Sequence, residues 1–190
     1  MILTKQFLNE QKQKGILNES FAHHKPQALN EYDVFISYSW NDRQYAHLVE
    51  QLLKKCGYSA YVDFNDLALN RSNVSEDTAK RLVEKMKKCK GLLYLYSPSS
   101  SVSRWCPWEV GVFSGIKNFR CANLPLIEKQ GENFKGQEYL DLYPYTEYDK
   151  VEGENVYQFW ICESNTKYVT LKEWLNGKKP YQHQITYLQI

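Results

Sequence analysis

The chain has 190 residues, of which 43% are hydrophobic and 24% are charged, and its formal net charge is +2. These values are typical of one globular domain with an appendage, whose core is large enough to be stable without disulfides or metal. The small net charge argues against nucleic acid or an anionic membrane as a partner, and no apolar run is long enough for a membrane-spanning helix. The five cysteines are scattered and form no C-x-x-C pair, which favours reduced thiols in the cytoplasm and no metal site.

The first part of the chain differs in composition from the rest. Residues 1–30 are polar, with a few apolar residues at spacings that fit a short amphipathic helix. We expect an N-terminal extension, helical in part, that ends before Pro26. The main domain is predicted to cover residues 31–178, followed by a C-terminal tail over residues 179–190.

A strand and a helix are predicted directly after the extension. The stretch YDVFISYSW, which begins at Tyr32, contains a continuous apolar run typical of a strand covered on both faces. The ND pair that follows can cap a helix. From Tyr45 to Cys56, apolar residues recur at i, i+3, i+4, i+7, i+8 and i+11, which predicts an amphipathic helix that ends at Gly57.

Strand and helix patterns continue to alternate along the chain. Further strands are predicted at YSAYVDF (58–64), GLLYLYSP (91–98), CANLPLIE (121–128) and YQFWICE (157–163). Helical patterns begin after Ser75, after the SSSVSR stretch and after Thr170. Pro125 weakens the fourth of the five strands, which we therefore expect at an edge of the sheet. This order of elements predicts an α/β fold with a doubly wound, mostly parallel sheet.

The carboxyl ends of the predicted strands locate a candidate site, because ligands of open parallel sheets bind beyond those ends. The helix after the third strand carries Trp105 and Glu109, which are four residues apart and therefore lie on one face. A carboxylate among tryptophans and apolar residues, about one turn from the strand ends, predicts that Glu109 points into the cleft. The alternative is an ion pair with Arg104 or Lys117 on a solvated face, because surface ion pairs are common.

Several common α/β functions lack their sequence signatures in this chain. No G-x-G-x-x-G follows the first strand, and neither a Walker lysine loop nor a G-x-S-x-G elbow occurs. A response-regulator receiver would carry acidic residues where this chain has Tyr38, Ser39, Ser97 and Pro98. These differences argue against a classical dinucleotide-binding domain, a kinase, an α/β-hydrolase and a receiver.

The motifs YDVFISYSWND, YSAYVDFNDL, CKGLLYLYSPSS and WCPWE, in this order and spacing, resemble those of the Toll/interleukin-1 receptor (TIR) domain family. The resemblance covers residues 31–175, with Phe159 and Trp160 in the place of the third family motif. It implies a flavodoxin-like three-layer sandwich around a central, mostly parallel five-stranded sheet. The chain is similar to the stand-alone TIR proteins of antiphage systems such as Thoeris.

Many bacterial members of this family cleave NAD at the nicotinamide–ribose bond. The resemblance implies that Glu109 is the catalytic residue and that Trp105 lines the same pocket. It also implies that Tyr38, Ser39 and Asp63 border the substrate. NAD is then a substrate, no cofactor is expected, and the product is ADP-ribose, a cyclic isomer or a histidine conjugate that activates a separate effector protein.

The resemblance leaves other functions open. It implies self-association of TIR domains, governed by the loop at residues 65–73, and a non-catalytic TIR–TIR interaction module explains the fold equally well. The pair of Glu109 and Trp105 favours the enzyme, because an adaptor does not need it. A nucleoside deoxyribosyltransferase-like enzyme is a third reading. Enzymes of the family often carry basic residues at the end of the first strand, where this chain has Ser39 and Trp40, so different nucleotide contacts are expected.

Overall fold

The computed structural model describes residues 1–18, 30–63, 75–132, 138–151 and 153–183. Within these ranges the chain forms one nine-stranded sheet with α-helices packed on both faces. The strands are β1 Leu3–Thr4, β2 Tyr32–Ser37, β3 Ala60–Tyr61, β4 Cys89–Tyr96, β5 Cys121–Ile127, β6 Tyr145–Lys150, β7 Tyr157–Ser164, β8 Lys167–Thr170 and β9 Tyr181–Gln182. The helices are α1 Lys5–Gln13, α2 Arg43–Lys55, α3 Glu76–Lys87, α4 Trp105–Ile116 and α5 Leu171–Leu175.

The sheet has the order β3-β2-β4-β5-β6-β7-β8-β9, and β1 also pairs with β5. The pairs between β3 and β6 along this order are parallel, whereas β7, β8 and β9 are added antiparallel. The predicted α/β class with a mostly parallel central sheet is therefore confirmed. The five-stranded parallel part is extended to nine strands by β1 and the antiparallel strands.

The fifth parallel strand is not the one expected at residues 157–163. It is β6, whose buried residues Thr146 and Tyr148 alternate with more exposed ones, so that its sequence lacks a continuous apolar run. The connection from Lys150 to Tyr157 has six residues, which is too short for a parallel crossover of about a dozen. The segment at 157–163 therefore returns antiparallel to β6.

Strand β5 lies inside the sheet, so its predicted position at an edge was wrong. It pairs with β4 on one side, and on the other side it pairs with β6 at Asn123 and with β1 at Leu126 and Ile127. Pro125 falls between these two partners. A proline, which lacks a backbone donor, is tolerated there because the ladder on that side changes partner.

Two apolar clusters, one on each face of the sheet, hold the helices in place. Val34 and Ile36 of β2 point into the cluster that contains α1, α2 and α5, whereas Phe35 points into the cluster with α3 and α4. This alternation follows from the two-residue period of a strand. Ser75 and Thr170 accept backbone hydrogen bonds as N-caps of α3 and α5, as predicted.

The first 17 residues are part of this packing. Leu3 and Leu8 are fully buried in the cluster with α2, and Leu17 is nearly so. The Lys5 ammonium forms an ion pair of 2.5 Å with Glu128, beyond β5. Pro26, where we expected the extension to end, lies outside the described residues, and the predicted domain boundaries stay predictions. None of the helices in the described part of the chain has the length and apolarity that a bilayer crossing requires.

Candidate active site

The carboxyl ends of β2 and β4 lie side by side, because Ser37 at the end of β2 is paired with Tyr94 of β4. A connection of eight residues joins β4 to helix α4, which begins at Trp105 and packs on the same face as Phe35. The rings of Phe35 and Phe113 are 6.4 Å apart. The sequence therefore brings the second turn of α4 against the end of β2.

Glu109 lies in that second turn and is fully buried, with 0% of its surface exposed. Its Oε2 accepts a hydrogen bond of 2.5 Å from the Ser37 hydroxyl. The alternative of an ion pair on a solvated face is therefore wrong for Glu109. The neighbouring Lys117 ammonium donates to the carbonyl of Lys87 at 2.7 Å.

Trp105 stands one turn before Glu109 at the start of α4 and is half-buried. Its ring meets that of Trp108 edge to face, with centroids 5.4 Å apart and an interplanar angle of 81°. Both indoles thus lie within four residues of Glu109 on one short stretch of helix. An aromatic face next to a carboxylate can hold a flat or cationic group.

The other predicted site residues are all buried. Tyr38 packs in the cluster on the α2 side of the sheet, which is the face opposite to Phe35 and α4. Ser39 and Asp63 are buried two residues beyond the ends of β2 and of the edge strand β3. The loop at residues 65–73, which we expect to govern self-association, lies outside the described residues. The substrate-binding roles of these side chains stay predictions.

Ser37 contacts Glu109, and sequence analysis missed it. The signal was present in the alternation of β2, because Ser37 follows Phe35 by two residues and must share its face. A short polar residue on that face, opposite a carboxylate-bearing helix, has a partner within reach. The motif reasoning stopped at Tyr38 and Ser39, the residues after the strand.

A second buried carboxylate, Asp42, lies in the loop after β2 and has 2% of its surface exposed. The Ser97 hydroxyl donates to its Oδ2 at 2.5 Å. Burial raises the pKa of Asp42, and the hydrogen bond from Ser97 opposes this shift. Asp42 occupies the N-cap position of α2, but its side chain makes no capping bond, because it is engaged by Ser97.

The loop after β4 is itself held by hydrogen bonds. The Ser97 hydroxyl accepts from the Ser100 N–H at 3.1 Å, and the Ser97 N–H donates to the Ser100 hydroxyl at 2.8 Å. The Tyr94 hydroxyl donates to the Ser100 carbonyl at 3.1 Å. Asp42 therefore ties the loop after β2 to an ordered loop after β4.

Trp40 projects from the segment between Ser39 and Asp42, with 56% of its surface exposed. The guanidinium carbon of Arg43 lies 5.2 Å from the centroid of its ring, and Arg43 donates to the Trp40 carbonyl at 3.4 Å. An exposed indole thus lies just beyond the end of β2, with the first residue of α2, Arg43, against its ring.

Most cysteine thiols in the described part of the chain are buried, which keeps them from acting as nucleophiles. All five cysteines are free, and all except Cys56 are buried. Burial raises the pKa of Cys89, Cys121 and Cys162 to about 12, so that they stay protonated at neutral pH. The described ranges contain no cluster of three His, Cys, Asp or Glu residues arranged to hold a metal, and the predicted lack of a metal stays a prediction.

Comparison with known proteins gives the family. The TIR domain family matches residues 34–154. A protein of Bacillus cereus (strain MSX-D12), named as a probable 3′ cyclic ADP-D-ribose synthase ThsB′, is 36% identical over 171 residues, which cover 89% of this chain and 87% of the relative. The TIR domain of the Toll-related receptor TRR-2 from Hydra magnipapillata is similar at 16% identity and a TM-score of 0.43, over 60% of this chain and 82% of that one. The family match and the extent of the Bacillus relative show that the chain belongs to the TIR domain family.

Proposed function

We propose that the protein cleaves NAD at the bond between nicotinamide and ribose, and that it joins the ADP-ribose part into a cyclic signal. The observation that carries this proposal is the buried carboxylate of Glu109 at the carboxyl ends of β2 and β4, bonded to Ser37. The relatedness to a protein named as a cyclic ADP-ribose synthase supports the cyclic product over the hydrolysed or histidine-linked one.

One carboxylate is sufficient for this reaction. Ordinary glycoside hydrolysis uses two carboxyl groups, one of which protonates a poor leaving group. Nicotinamide is attached to ribose as a cation and departs as a neutral molecule, so that no acid is needed. The positive charge that develops on the ribose is stabilised by the fixed negative charge of Glu109.

The surroundings of Glu109 have distinct roles in this proposal. Trp105 offers an aromatic face to the nicotinamide ring or to the ribose cation. We expect Tyr38, Ser39 and Asp63 to border the bound nucleotide at the carboxyl edge of the sheet, with Tyr38 on the face opposite to Glu109. Because the carboxylate is shielded from bulk water, a hydroxyl group of the substrate itself captures the ribose cation before water does. The new C–O bond closes the ring as the hydroxyl loses its proton to the Glu109 carboxylate.

The wider setting follows from the same proposal. The protein acts in the cytoplasm without a cofactor, and its product activates a separate effector protein in defence against phage. TIR domains associate head to tail, and such a contact lets one protomer complete the pocket of the next. Activity is therefore expected to rise with protein concentration.

The test is incubation of the protein with NAD at several protein concentrations, followed by separation and mass spectrometry of the products. We expect free nicotinamide and a nucleotide lighter than ADP-ribose by one water molecule. Glu109→Gln should abolish both while circular dichroism shows the wild-type fold. Glu84→Gln, the same chemical change at an exposed ion pair with Lys87, is the matched control and should leave the rate unchanged.

Three other outcomes would contradict the proposal in part or in full. Equal nicotinamide release by wild type and Glu109→Gln would remove Glu109 from the mechanism. Self-association without consumption of NAD at any concentration would favour a TIR–TIR interaction module. A parallel incubation with deoxynucleosides tests the third reading, because a deoxyribosyltransferase would exchange their bases and leave NAD intact.

A further inference from the structure

We propose that Ser37 is a positioning residue that fixes and sustains the charged carboxylate of Glu109, an inference that rests on the function proposed above. The contact between them is direct, from Ser37 Oγ to Glu109 Oε2 at 2.5 Å. Both residues have no exposed surface. The contact joins two elements that are 72 residues apart in the sequence.

Ser37 is held in a strand that is paired on both sides. Strand β2 has β3 on one side and β4 on the other, and Ser37 itself is paired with Tyr94. The backbone from which the hydroxyl projects is therefore fixed by pairing with the central strand β4 and by packing on both faces. A donor with a fixed origin can set the orientation of a group that approaches it.

The glutamate is held less directly, because it reaches the strand from a helix. Val110 and Phe113 anchor α4 in the core on that face. The glutamate side chain still has rotatable bonds between the helix and its carboxylate, and these are set by the groups that bind its oxygens. The bond from Ser37 to Oε2 limits rotation of the carboxylate plane, and thereby positions it relative to the indole of Trp105.

The same bond supports the charge. A carboxylate removed from water is unstable as an anion unless donors compensate for the lost hydration. Hydrogen bonds from a hydroxyl to a carboxylate are typically about 2.5–2.7 Å long and are stronger than those between neutral groups. The length of 2.5 Å falls in that range. The hydroxyl of Ser37 is therefore one donor that compensates the Glu109 carboxylate for its lost hydration.

A purely structural serine provides the contrast. Ser114 is also buried in α4, where its hydroxyl donates to the Val110 carbonyl at 2.8 Å and contacts the Tyr143 hydroxyl at 2.8 Å. Both serines satisfy buried polar groups, but only the one at position 37 contacts the proposed catalytic group. Their alanine variants therefore separate a positioning role from general packing.

The experiment measures nicotinamide release as a function of NAD concentration for Ser37→Ala, Ser37→Thr and Ser114→Ala. We expect Ser37→Ala to lower kcat about 100-fold, the size of effect that a misplaced catalytic group produces. KM for NAD should change less than about twofold, because the lost interaction acts in the transition state. Ser37→Thr retains the hydroxyl on a residue that suits a strand and should recover most of kcat. Ser114→Ala should keep the wild-type kcat.

Several outcomes would overturn the inference. A wild-type kcat in Ser37→Ala beside an inactive Glu109→Gln would overturn it alone and leave the proposed function standing. Equal losses in Ser37→Ala and Ser114→Ala, or a folded Ser37→Thr as slow as Ser37→Ala, would reduce Ser37 to a packing residue. Wild-type protein that does not cleave NAD would overturn the proposed function and this inference with it.

Discussion

The two ends of strand β2 hold carboxylates in contrasting ways. At the amino end, Asp33 accepts hydrogen bonds from the backbone N–H and the hydroxyl of Ser59, at 2.9 and 3.0 Å, and from the Lys90 ammonium at 2.8 Å. Burial acts to raise the pKa of Asp33, but the bonds from Lys90 and Ser59 outweigh it and hold the pKa below its ordinary value. This carboxylate is charged because its surroundings favour the charge.

At the carboxyl end, two carboxylates are buried more deeply and each is bonded to a serine hydroxyl. Glu109 accepts from Ser37 and Asp42 accepts from Ser97, both at 2.5 Å. Burial raises the pKa of Asp42, although Lys5 and Ser97 act against it. The sheet thus stabilises a charged carboxylate at the amino end of β2, whereas it buries carboxyl groups away from water at the carboxyl end, where a ligand would bind.

The largest expected effect is on turnover, because substitutions at the two ends of β2 should change kcat very differently. We expect Glu109→Gln to lower kcat by about 1000-fold or more, because the fixed charge that stabilises the ribose cation is lost. Asp33→Asn should keep kcat within about twofold, since Asp33 lies at the opposite end of the strand. Nicotinamide release under saturating NAD is the measurement. A comparable loss in Asp33→Asn, in protein that remains folded, would show that the ends do not differ in function.

The sequence predicted the central part of the fold because that part has a local pattern. The apolar run of β2 and the helical stripe of α2 each identify their element, and both were found where expected. Strand β6 was missed because its buried residues alternate with more exposed ones and leave no continuous apolar run. Pro125 was misjudged because the change of partner along β5 depends on β1. Contacts with distant segments leave no signature in the local sequence.

The same distinction holds for the candidate site. Motif and spacing identified Glu109, and the structure shows that its carboxylate is buried beside the strand ends. The alternation of β2 gives the face on which Ser37 lies but not its partner. The bonds from Ser37 to Glu109 and from Ser97 to Asp42 could not be read from the motifs, because each joins residues more than 50 positions apart. Asp42 was expected to cap α2, and competition from Ser97 decides otherwise.

Measurements of stability should distinguish Asp42 from Glu109, the two buried carboxyl groups at the carboxyl end of β2. Asp42→Ala removes the acceptor that joins the loops after β2 and β4, and leaves the buried Ser97 hydroxyl without this partner. We expect the free energy of unfolding to fall by about 2–3 kcal/mol. Urea denaturation measures this change, and a double-mutant cycle with Ser97→Ala isolates the pair.

Gly91→Ala, a destabilising substitution away from the loops after β2 and β4, is the control for the coupling between Asp42 and Ser97. A methyl group at Gly91 would lie 2.7 Å from the Trp174 ring and 2.8 Å from Leu175, so Gly91→Ala should destabilise the protein by about 1–3 kcal/mol through overpacking. The effects of Gly91→Ala and Ser97→Ala on the free energy of unfolding should be additive. Additive effects of Asp42→Ala and Ser97→Ala would contradict a bond between the loops.

Substitution of Trp40, which is exposed near the carboxyl end of β2, should change the affinity for NAD by a smaller factor. If the indole of Trp40 stacks on the adenine of NAD, Trp40→Ala should raise KM about tenfold, because stacking of a base on an aromatic side chain contributes about 1–3 kcal/mol. Trp40→Phe should retain most of the affinity, and kcat should change little in either variant. An unchanged KM in Trp40→Ala would show that this exposed indole does not bind the nucleotide.

The pH dependence of stability is the smallest effect and gives the sharpest test of the contrast. The pKa of Asp33 lies below its ordinary value of 3.8, so its stabilising contribution is present above that pH and is lost as the pH falls through the lowered pKa. The pKa of Asp42 lies above 3.8, so its contribution is present below that pH and is lost as the pH rises through the raised pKa.

Urea unfolding between about pH 3 and pH 7 should therefore move the two asparagine variants in opposite directions relative to wild type. The deficit of Asp33→Asn should shrink on acidification, by about 1 kcal/mol or less for a partly exposed ion pair. Asp42→Asn, which resembles the protonated acid, should instead gain on wild type as the pH rises. If the free energies of unfolding of both variants changed with pH in the same direction relative to wild type, the two carboxyl groups would not respond to pH in opposite ways. The contrast between the two ends of β2 would then be wrong.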